Sequence, residues 1–274
     1  MIQLGLIGYP LGHSLSPKIH TAALKACGLN GDYSLFPIHP DDKLGLKDLL
    51  NRVRSGEING LNVTIPHKQN VIEFMDELTP TAKAIGAVNT IYLKDKKLIG
   101  DNTDVHGFLS DLKRVANSSF HIPYSALVLG AGGSARAVVY ALLNAGWKVT
   151  VATRRIEQAQ QLANSFPDYQ LLVTDLENLQ SLISTFSLLV NTTPLGMTPN
   201  IDQSPLPENL SLPSNTFIYD LVYNPRETKL VRDVHSQGLS AATGLGMLIE
   251  QAALAFEIWT GANADRIAMR DAVA

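Results

Sequence analysis

The chain has 274 residues, of which 45% are hydrophobic and 17% charged, and its formal net charge at pH 7 is −3. This composition is that of a globular protein with one large or two moderate cores, and it excludes an intrinsically disordered chain. The scattered charge offers no basic field to nucleic acid, and a single cysteine, Cys27, excludes an intramolecular disulfide framework and a cysteine-based zinc cluster.

The first half of the chain alternates the patterns of strands and helices. Ser16 followed by Pro17 supplies an N-cap and a proline at the first helical position, which predicts a helix to about Cys27. The other predicted elements are strands over residues 2–8, 33–38 and 60–65, a helix over residues 41–53, helical turns over residues 71–75 and 81–85, and extended chain over residues 87–93. The charged run KDKK at residues 94–97 is interpreted as a solvated hairpin turn.

The second half repeats this alternation more regularly, in the rhythm typical of a doubly wound nucleotide-binding domain. Strands are predicted over residues 126–129, 148–152, 170–173, 188–191 and 217–221, and helices over residues 134–144, 156–165, 175–184 and 228–236. Residues 194–213 are predicted to form a long loop, residues 246–260 a strongly apolar helix, and residues from 264 a short one. The whole pattern indicates an α/β protein of two domains, with a boundary near residues 104–112.

No targeting or membrane segment is expected. The N-terminus lacks the basic region and long apolar run of a signal peptide, and no run reaches the roughly 18 apolar residues that a spanning helix needs. The expected setting is therefore the cytoplasm, with no membrane or nucleic-acid partner.

A glycine-rich turn follows the predicted strand over residues 126–129 and matches the dinucleotide fingerprint in its G-x-G-x-x-A form. It reads Gly130, Ala131, Gly132, Gly133, Ser134, Ala135. The first glycine allows the tight turn, and the second lets the backbone approach a pyrophosphate, which the N-terminus of the following helix attracts. A purely structural turn is the alternative, but the strand before it and the helix after it favour dinucleotide binding.

The end of the next predicted strand distinguishes NADP from NAD. An NAD site places Asp or Glu there for the ribose 2′-hydroxyl, about 20 residues after the fingerprint. This chain has Thr153, Arg154 and Arg155, and its first acid is Glu157. Guanidinium groups suit a 2′-phosphate because they form paired, charge-assisted hydrogen bonds. NADP is therefore the predicted cofactor, although either arginine alone would also suit a solvated loop.

Polar residues cluster in the first half at three places where a packed core does not require them. Ser14 and Ser16 stand ahead of a helix N-terminus, where hydroxyls and free N–H groups suit a carboxylate, although Ser16 alone would more often be an ordinary cap. The other clusters are Asn62 to Lys68, and the pair of Ala87 to Thr90 with Gly100 to Asp104. Each residue taken singly is equally compatible with a turn or a surface position.

Taken together, these segments resemble the shikimate dehydrogenase family. The family signatures stand here as GYPLGHSLSP, NVTIPHK, GAVNT, GDNTDVHGF, GAGGSARA, NTTPLGM, YDLVYNP and TGLGMLIEQA, in family order from residue 8 to residue 252. The resemblance implies the reversible reduction of 3-dehydroshikimate to shikimate with NADPH, on the way to chorismate and the aromatic amino acids. It also implies a substrate domain over residues 1–105 and a Rossmann-like NADP domain over residues 106–243, with the helices of residues 244–274 packing back on the substrate domain.

The resemblance further implies a role for each matching residue. Lys68 and Asp104 match the catalytic pair, which also contacts substrate, and no metal is implied. The matching substrate-binding positions are Ser14 and Ser16 for the carboxylate and Thr64, Asn89 and Gln251 for the ring hydroxyls, with Asn62 and Tyr223 close by. The matching cofactor positions are Gly130, Ala131, Gly132, Gly133 and Ser134 for the phosphates, Thr153, Arg154 and Arg155 for the 2′-phosphate, and Thr192, Leu221, Gly244 and Met247 for the nicotinamide side. A monomer or a homodimer is expected.

Two details depart from the family pattern or invite another interpretation. The 2′-phosphate segment commonly reads Asn-Arg-Thr or Asn-Arg-Ser in the family, and the extra arginine here should strengthen NADP selectivity. His67 stands beside Lys68 at a variable position and is not predicted to act as a general base. The remaining alternatives are a quinate/shikimate dehydrogenase that accepts NAD, and a dinucleotide-binding regulatory protein without catalysis, which would not need Lys68, Asp104 and both serines.

Overall fold

The computed structural model describes residues 1–116, 124–176, 179, 183–207 and 210–274. These residues divide into two compact units, one of residues 1–107 with residues 249–274, and one of residues 108–248. Residues 177, 178 and 180–182 of the helix predicted over residues 175–184 lie outside the described residues. No helix in the described part has both the length and the apolar character needed to cross a bilayer.

The first unit contains a mixed six-stranded sheet in the order β2-β1-β3-β5-β6-β4. Its strands are β1 (Ile2–Gly8), β2 (Gly31–Pro37), β3 (Gly60–Val63), β4 (Glu77–Leu78), β5 (Thr90–Lys94) and β6 (Lys97–Asp101). The pairs around β1 and the β4–β6 pair are parallel, whereas β5 runs antiparallel to β3 and β6. Asp95 and Lys96 have φ values of 51° and 64°, which confirms the predicted hairpin turn between β5 and β6.

The helices of the first half are α1 (Ser16–Ala26), α2 (Lys43–Arg54) and α3 (Pro80–Ile85), with a 3-10 turn over Asn70–Phe74. Helix α4 (Asp104–Ala116) follows and continues into the second unit. Leu49, Leu50 and Val53 on α2 are buried with Ile7 and Leu61 in one apolar cluster. The fully buried face of α2 explains its stability, because burying apolar area is the main favourable term in folding.

The second unit contains an entirely parallel six-stranded sheet in the order β12-β11-β10-β7-β8-β9. Its strands are β7 (Ser125–Leu129), β8 (Lys148–Ala152), β9 (Leu171–Thr174), β10 (Leu188–Asn191), β11 (Phe217–Asp220) and β12 (Ala241–Thr243). Numbered within the unit, this order is 3-2-1-4-5-6, which is the Rossmann arrangement. The predicted α/β class with a doubly wound second half is therefore confirmed.

The remaining helices are α5 (Gly133–Asn144), α6 (Ile156–Asn164), α7 (Lys229–Ser236), α8 (Leu245–Thr260) and α9 (Arg266–Asp271). Helix α8 begins in the second unit and continues into the first, and α9 packs against α1. Residues of α8 such as Ala252, Ala253 and Phe256 have no exposed surface, which agrees with its strongly apolar sequence.

One predicted cap is wrong by a residue. Ser16 is the first residue of α1 and not its N-cap; Leu15 holds the cap position without a side-chain hydrogen bond, and proline follows in the first turn. The hydroxyl of Ser14 accepts a hydrogen bond from the backbone N–H of Ser16 at 3.3 Å, so the serine two residues earlier satisfies a free donor of the first turn. Two short strands, β4 and β12, were not predicted, since two or three residues carry too little periodicity to detect.

Candidate active site

Lys68 and Asp104 form a buried ion pair in the first unit. The Lys68 ammonium lies 2.6 Å from Oδ2 of Asp104, and the two residues are 9% and 5% exposed. The backbone fixes both ends, because the carbonyl of Lys68 accepts a hydrogen bond from Val88 N–H and Asp104 is the first residue of α4. Two opposite charges held together at low exposure interact much more strongly than they would in water. This pair is the only strongly buried ion pair among the described residues of the first unit.

Asn89 organises the polar residues around this pair. Its Nδ2 donates to Oδ1 of Asp104 at 2.9 Å and lies 3.3 Å from Oε1 of Gln251, on α8. Its Oδ1 accepts from the backbone N–H of Thr103 at 2.8 Å and from the hydroxyl of Thr90 at 2.9 Å. Both ends of a buried amide are therefore satisfied, which holds the carboxylate of Asp104 in one orientation.

The turn before α4 positions Asp104 directly. Oδ1 of Asn102 accepts from the backbone N–H of Asp104 at 3.0 Å, and Nδ2 of Asn102 donates to the carbonyl of Ala87 at 3.0 Å. Asn102 thus joins the loop that carries Asn89 to the start of the helix that carries Asp104. Asn102 was not predicted to have a role, although an asparagine side chain often accepts a hydrogen bond from the backbone N–H two residues on.

Asn62 lies at the end of β3 and extends the same group. Its Nδ2 donates to the carbonyl of Asn89 at 3.3 Å, and its Oδ1 accepts from the hydroxyl of Tyr33 at 2.8 Å. Tyr33, Asn62 and Asn89 are buried in the first unit. The structure therefore brings together five of the predicted site residues through direct hydrogen bonds: Lys68, Asp104, Asn89, Asn62 and Gln251.

Ser14, Ser16 and Thr64 lie in the first unit but outside this hydrogen-bonded group. Ser14 is half-buried and Ser16 is 7% exposed. Thr64 is half-buried at the end of β3, and a Cβ atom on Gly8 would collide with its methyl group. Glycine is thus required at Gly8 for the loop before α1 to approach the end of β3.

His67 is buried beside Lys68, but its contacts are structural. Its Nε2 lies 2.7 Å from the carbonyl oxygen of Ile38, and its backbone N–H donates to the carbonyl of Thr64. The ring therefore ties the turn after β3 to the chain after β2. That His67 is not a general base stays a prediction.

The fingerprint turn lies at the carboxyl end of β7, where the strand order of the second sheet reverses. Gly130 has φ of +104°, and a Cβ atom there would lie 2.7 Å from Oγ1 of Thr192. At Gly132 nothing lies within 4 Å of an added Cβ atom, so this side of the turn is open. Ligands of open parallel sheets bind at such a reversal, and α5 begins there at Gly133. The turn fits a pyrophosphate held by Gly130 to Ser134.

We expect Gly130→Ala to lower both stability and NADP affinity. Alanine at this φ is strained by about 1–3 kcal/mol, and its methyl group would press on Thr192. Chemical denaturation and the KM for NADP measure the two effects. Gly146→Ala is the matched control, because Gly146 also has positive φ, +83°, but open space around its Cβ position. The control should lose stability with an unchanged KM; an equal rise in KM for both variants would contradict this role of the turn.

The segment after β8 contains the three residues predicted to bind the 2′-phosphate, and its two arginines are exposed to solvent. Thr153 is buried, with its hydroxyl 3.4 Å from the backbone N–H of Arg155, whereas Arg154 and Arg155 are exposed. Glu157 is exposed in the first turn of α6. No described acidic residue forms an ion pair with either arginine, so both guanidinium groups are available to an anion.

The predicted nicotinamide residues cluster at the carboxyl ends of β10, β11 and β12. The hydroxyl of Thr192 donates to the carbonyl of Leu129 at 2.6 Å, and Gly244 has Leu221 so close that a Cβ atom would collide with its carbonyl. Tyr223, which was predicted to lie near the substrate, follows the same strand β11 and is half-buried. Burial raises the pKa of its phenol, so this phenol stays protonated well above neutral pH. Met247 is buried in the first turn of α8. A direct contact of these residues with a cofactor stays a prediction.

The described residues contain no group of three or more His, Cys, Asp or Glu side chains placed to hold a metal ion.

Family models match three consecutive parts of the chain. A model described as the shikimate dehydrogenase substrate binding domain matches residues 6–91, one described as shikimate / quinate 5-dehydrogenase matches residues 114–237, and one described as the shikimate 5′-dehydrogenase C-terminal domain matches residues 244–274.

Individual relatives match over nearly the whole length. The shikimate dehydrogenase (NADP(+)) of Shouchella clausii is 38% identical, covering 99% of this chain and 97% of its own. The structure of shikimate 5-dehydrogenase from Thermus thermophilus in complex with NADP(H) and shikimate has a TM-score of 0.88 and 39% identity, covering 99% and 98%. A quinate dehydrogenase from Corynebacterium glutamicum in complex with NAD has a TM-score of 0.90 and 32% identity, covering 99% and 98%.

Proposed function

The chain belongs to the shikimate dehydrogenase family, and we propose that it catalyses the reversible, NADPH-dependent reduction of 3-dehydroshikimate to shikimate. The enzyme is an NADP-dependent oxidoreductase of the shikimate pathway that acts on a CH–OH group of its substrate. The observation that carries the proposal is the buried Lys68–Asp104 pair within the Asn89 hydrogen-bond network. This arrangement provides a proton donor and a hydrogen-bond acceptor next to each other for a polar, oxygen-rich substrate.

Reduction of a ring ketone needs a hydride at carbon and a proton at oxygen. NADPH supplies the hydride when it is bound. We assign the proton to Lys68, whose ammonium polarises the carbonyl oxygen and donates a proton to it, and whose free amine accepts that proton in the oxidation direction. Asp104 holds this ammonium through Oδ2 while Asn89 holds Oδ1, so the donor is positioned before substrate arrives.

The other predicted contacts follow from the same proposal. Ser14 and Ser16 bind the substrate carboxylate, and the ring hydroxyls bind to Asn62, Thr64, Asn89, Gln251 and Tyr223. The residues that would hold NADP are Gly130 to Ser134, Thr153 to Arg155, Thr192, Leu221, Gly244 and Met247. The proposed substrate domain comprises residues 1–105 with the helices of residues 244–274, and the proposed cofactor domain comprises residues 106–243.

One similar structure is a quinate dehydrogenase in complex with NAD. Quinate and NAD are therefore the alternative substrate and cofactor to compare with shikimate and NADP. The exposed Arg154 and Arg155, with no acid before Glu157, support NADP.

One spectrophotometric experiment tests the function. The purified chain should reduce NADP with shikimate, followed at 340 nm, with a much higher kcat/KM than for NAD or for quinate. Higher kcat/KM for quinate with NAD would identify the competing activity instead. The absence of turnover with every pair would favour a non-catalytic dinucleotide-binding protein.

The location and assembly of the protein belong to the proposal as well. We propose that the enzyme works in the cytoplasm as a monomer or a homodimer. The single cysteine, Cys27, is compatible with a reducing compartment. Light scattering of the purified chain distinguishes the two assembly states.

A further inference from the structure

Three aromatic side chains, His20, Tyr33 and Trp259, lie near Asn62 in the first unit. None of them has a role in the mechanism proposed for the reaction. His20 on α1 has no exposed surface and stacks on Tyr33 of β2, with ring centroids 4.3 Å apart and planes at 4°. The ring of Trp259 on α8 lies 5.5 Å from that of His20, centroid to centroid, with the planes tilted by 40°. Trp259 also occupies the space where Gly60, two residues before Asn62, would carry a Cβ atom. Tyr33 is therefore held rigidly within this cluster.

The hydroxyl of Tyr33 determines which end of the Asn62 amide is available. It donates to Oδ1 of Asn62 at 2.8 Å, while one N–H of Asn62 donates to the carbonyl of Asn89 at 3.3 Å. A primary amide has two N–H donors and one carbonyl acceptor. With Oδ1 bound by Tyr33, the second N–H is the group that Asn62 can offer to a ligand.

His20 supplies a ring surface to this arrangement and no hydrogen bond. Neither of its ring nitrogens has a hydrogen-bond partner within the described part of the structure. Burial lowers the pKa of His20 to about 3; a weak hydrogen-bond interaction with the Asn62 side chain raises it by a smaller amount, although this contact does not reach the geometry of a full hydrogen bond. The imidazole is therefore uncharged at working pH, and a neutral ring can stack on Tyr33 without bringing a charge beneath the site.

We propose that Tyr33, held by the stacked ring of His20, is a positioning residue that fixes Asn62 as a hydrogen-bond donor to a substrate oxygen. The inference rests on the proposed function, since it assumes that Asn62 contacts the substrate. A donor suits an oxygen that must be bound in both directions of the reaction, because carbonyl and hydroxyl oxygens both accept hydrogen bonds. Without the Tyr33 hydroxyl, the amide can turn, and its second N–H is no longer fixed as the donor to that oxygen.

The test is Tyr33→Phe, which removes one oxygen and keeps the stacked ring. We expect the KM for shikimate to rise about 5- to 30-fold, as for loss of one oriented buried hydrogen bond. The value of kcat and the KM for NADP should stay within about twofold, because Lys68 and the cofactor loop are untouched. The matched control is Tyr169→Phe, which removes another tyrosine hydroxyl bonded to an asparagine oxygen, at 3.4 Å from Asn144 in the second unit, and should leave every constant unchanged.

A double-mutant cycle separates positioning from a general loss of structure. In the Asn62→Ala background, Tyr33→Phe should have no further effect on the KM for shikimate, because Tyr33 acts through the Asn62 amide. Calorimetric titration of shikimate and thermal unfolding of all four proteins verify that the KM changes reflect binding by folded protein.

The outcomes are distinct. Three results would overturn the role of Tyr33: an unchanged KM for shikimate in Tyr33→Phe, a loss in kcat as large as the rise in KM, or additive effects in the double-mutant cycle. In each case, turnover of shikimate by the wild-type chain would still support the proposed function. No wild-type turnover would overturn the function, and this inference with it.

Discussion

Replacing Lys68 with alanine should lower kcat about 100- to 10,000-fold, which is the range for loss of a positioned proton donor. The KM for shikimate should change much less, since Asn89, Gln251 and the serines remain. The physical reason is that the ammonium acts on charge that develops on oxygen in the transition state, so its loss affects the barrier more than binding. Steady-state kinetics in both directions measure the effect.

Two controls keep this result interpretable. Lys97→Ala removes a lysine whose ion pair with Glu77, at 3.2 Å, is exposed, and it should leave kcat unchanged. Lys68→Ala also leaves the buried carboxylate of Asp104 without its cation, which typically costs about 3–5 kcal/mol of stability. Thermal unfolding must therefore show that the variant is folded at the assay temperature. A folded variant with near-normal kcat would remove Lys68 from the mechanism.

Replacing Arg154 with alanine should raise the KM for NADP about 10- to 100-fold, corresponding to lost charge-assisted hydrogen bonds worth about 1.5–3 kcal/mol. The KM for NAD should hardly change, because NAD carries a hydroxyl where NADP carries the 2′-phosphate. Arg154 is exposed in the turn after β8, so its truncation should not disturb the core. The ratio of the two KM values is the informative quantity, since general damage to the site would raise both.

Arg155→Ala in parallel shows how the phosphate is shared between the two guanidinium groups. Arg52→Ala is the surface control, since Arg52 pairs with Glu57 at 2.8 Å in the first unit and should affect neither cofactor. Equal increases for NADP and NAD in Arg154→Ala would contradict the 2′-phosphate assignment.

The second unit could be predicted closely from local sequence signals. Strand, glycine-rich turn and helix follow one another within residues 125–144, so each signal reinforces the next. The regular alternation of strands and helices predicted a doubly wound sheet, and the structure supplied its strand order. Errors arose where elements are short, as at β12, or where a hydroxyl outside the helix satisfies the first N–H, as Ser14 does for Ser16.

The sequence by itself determined the α/β class and the glycine-rich turn after β7, and with the family motifs it predicted Lys68 and Asp104 as the catalytic pair. Those signals are carried by residues within a few positions of one another. Only the tertiary structure decided that Asn89 contacts both Asp104 and Gln251, the latter 162 residues from Asn89 along the chain, and that Tyr33 restrains Asn62. Such contacts depend on strand register and helix packing, which bring distant segments together and leave no periodicity in the sequence that would reveal them.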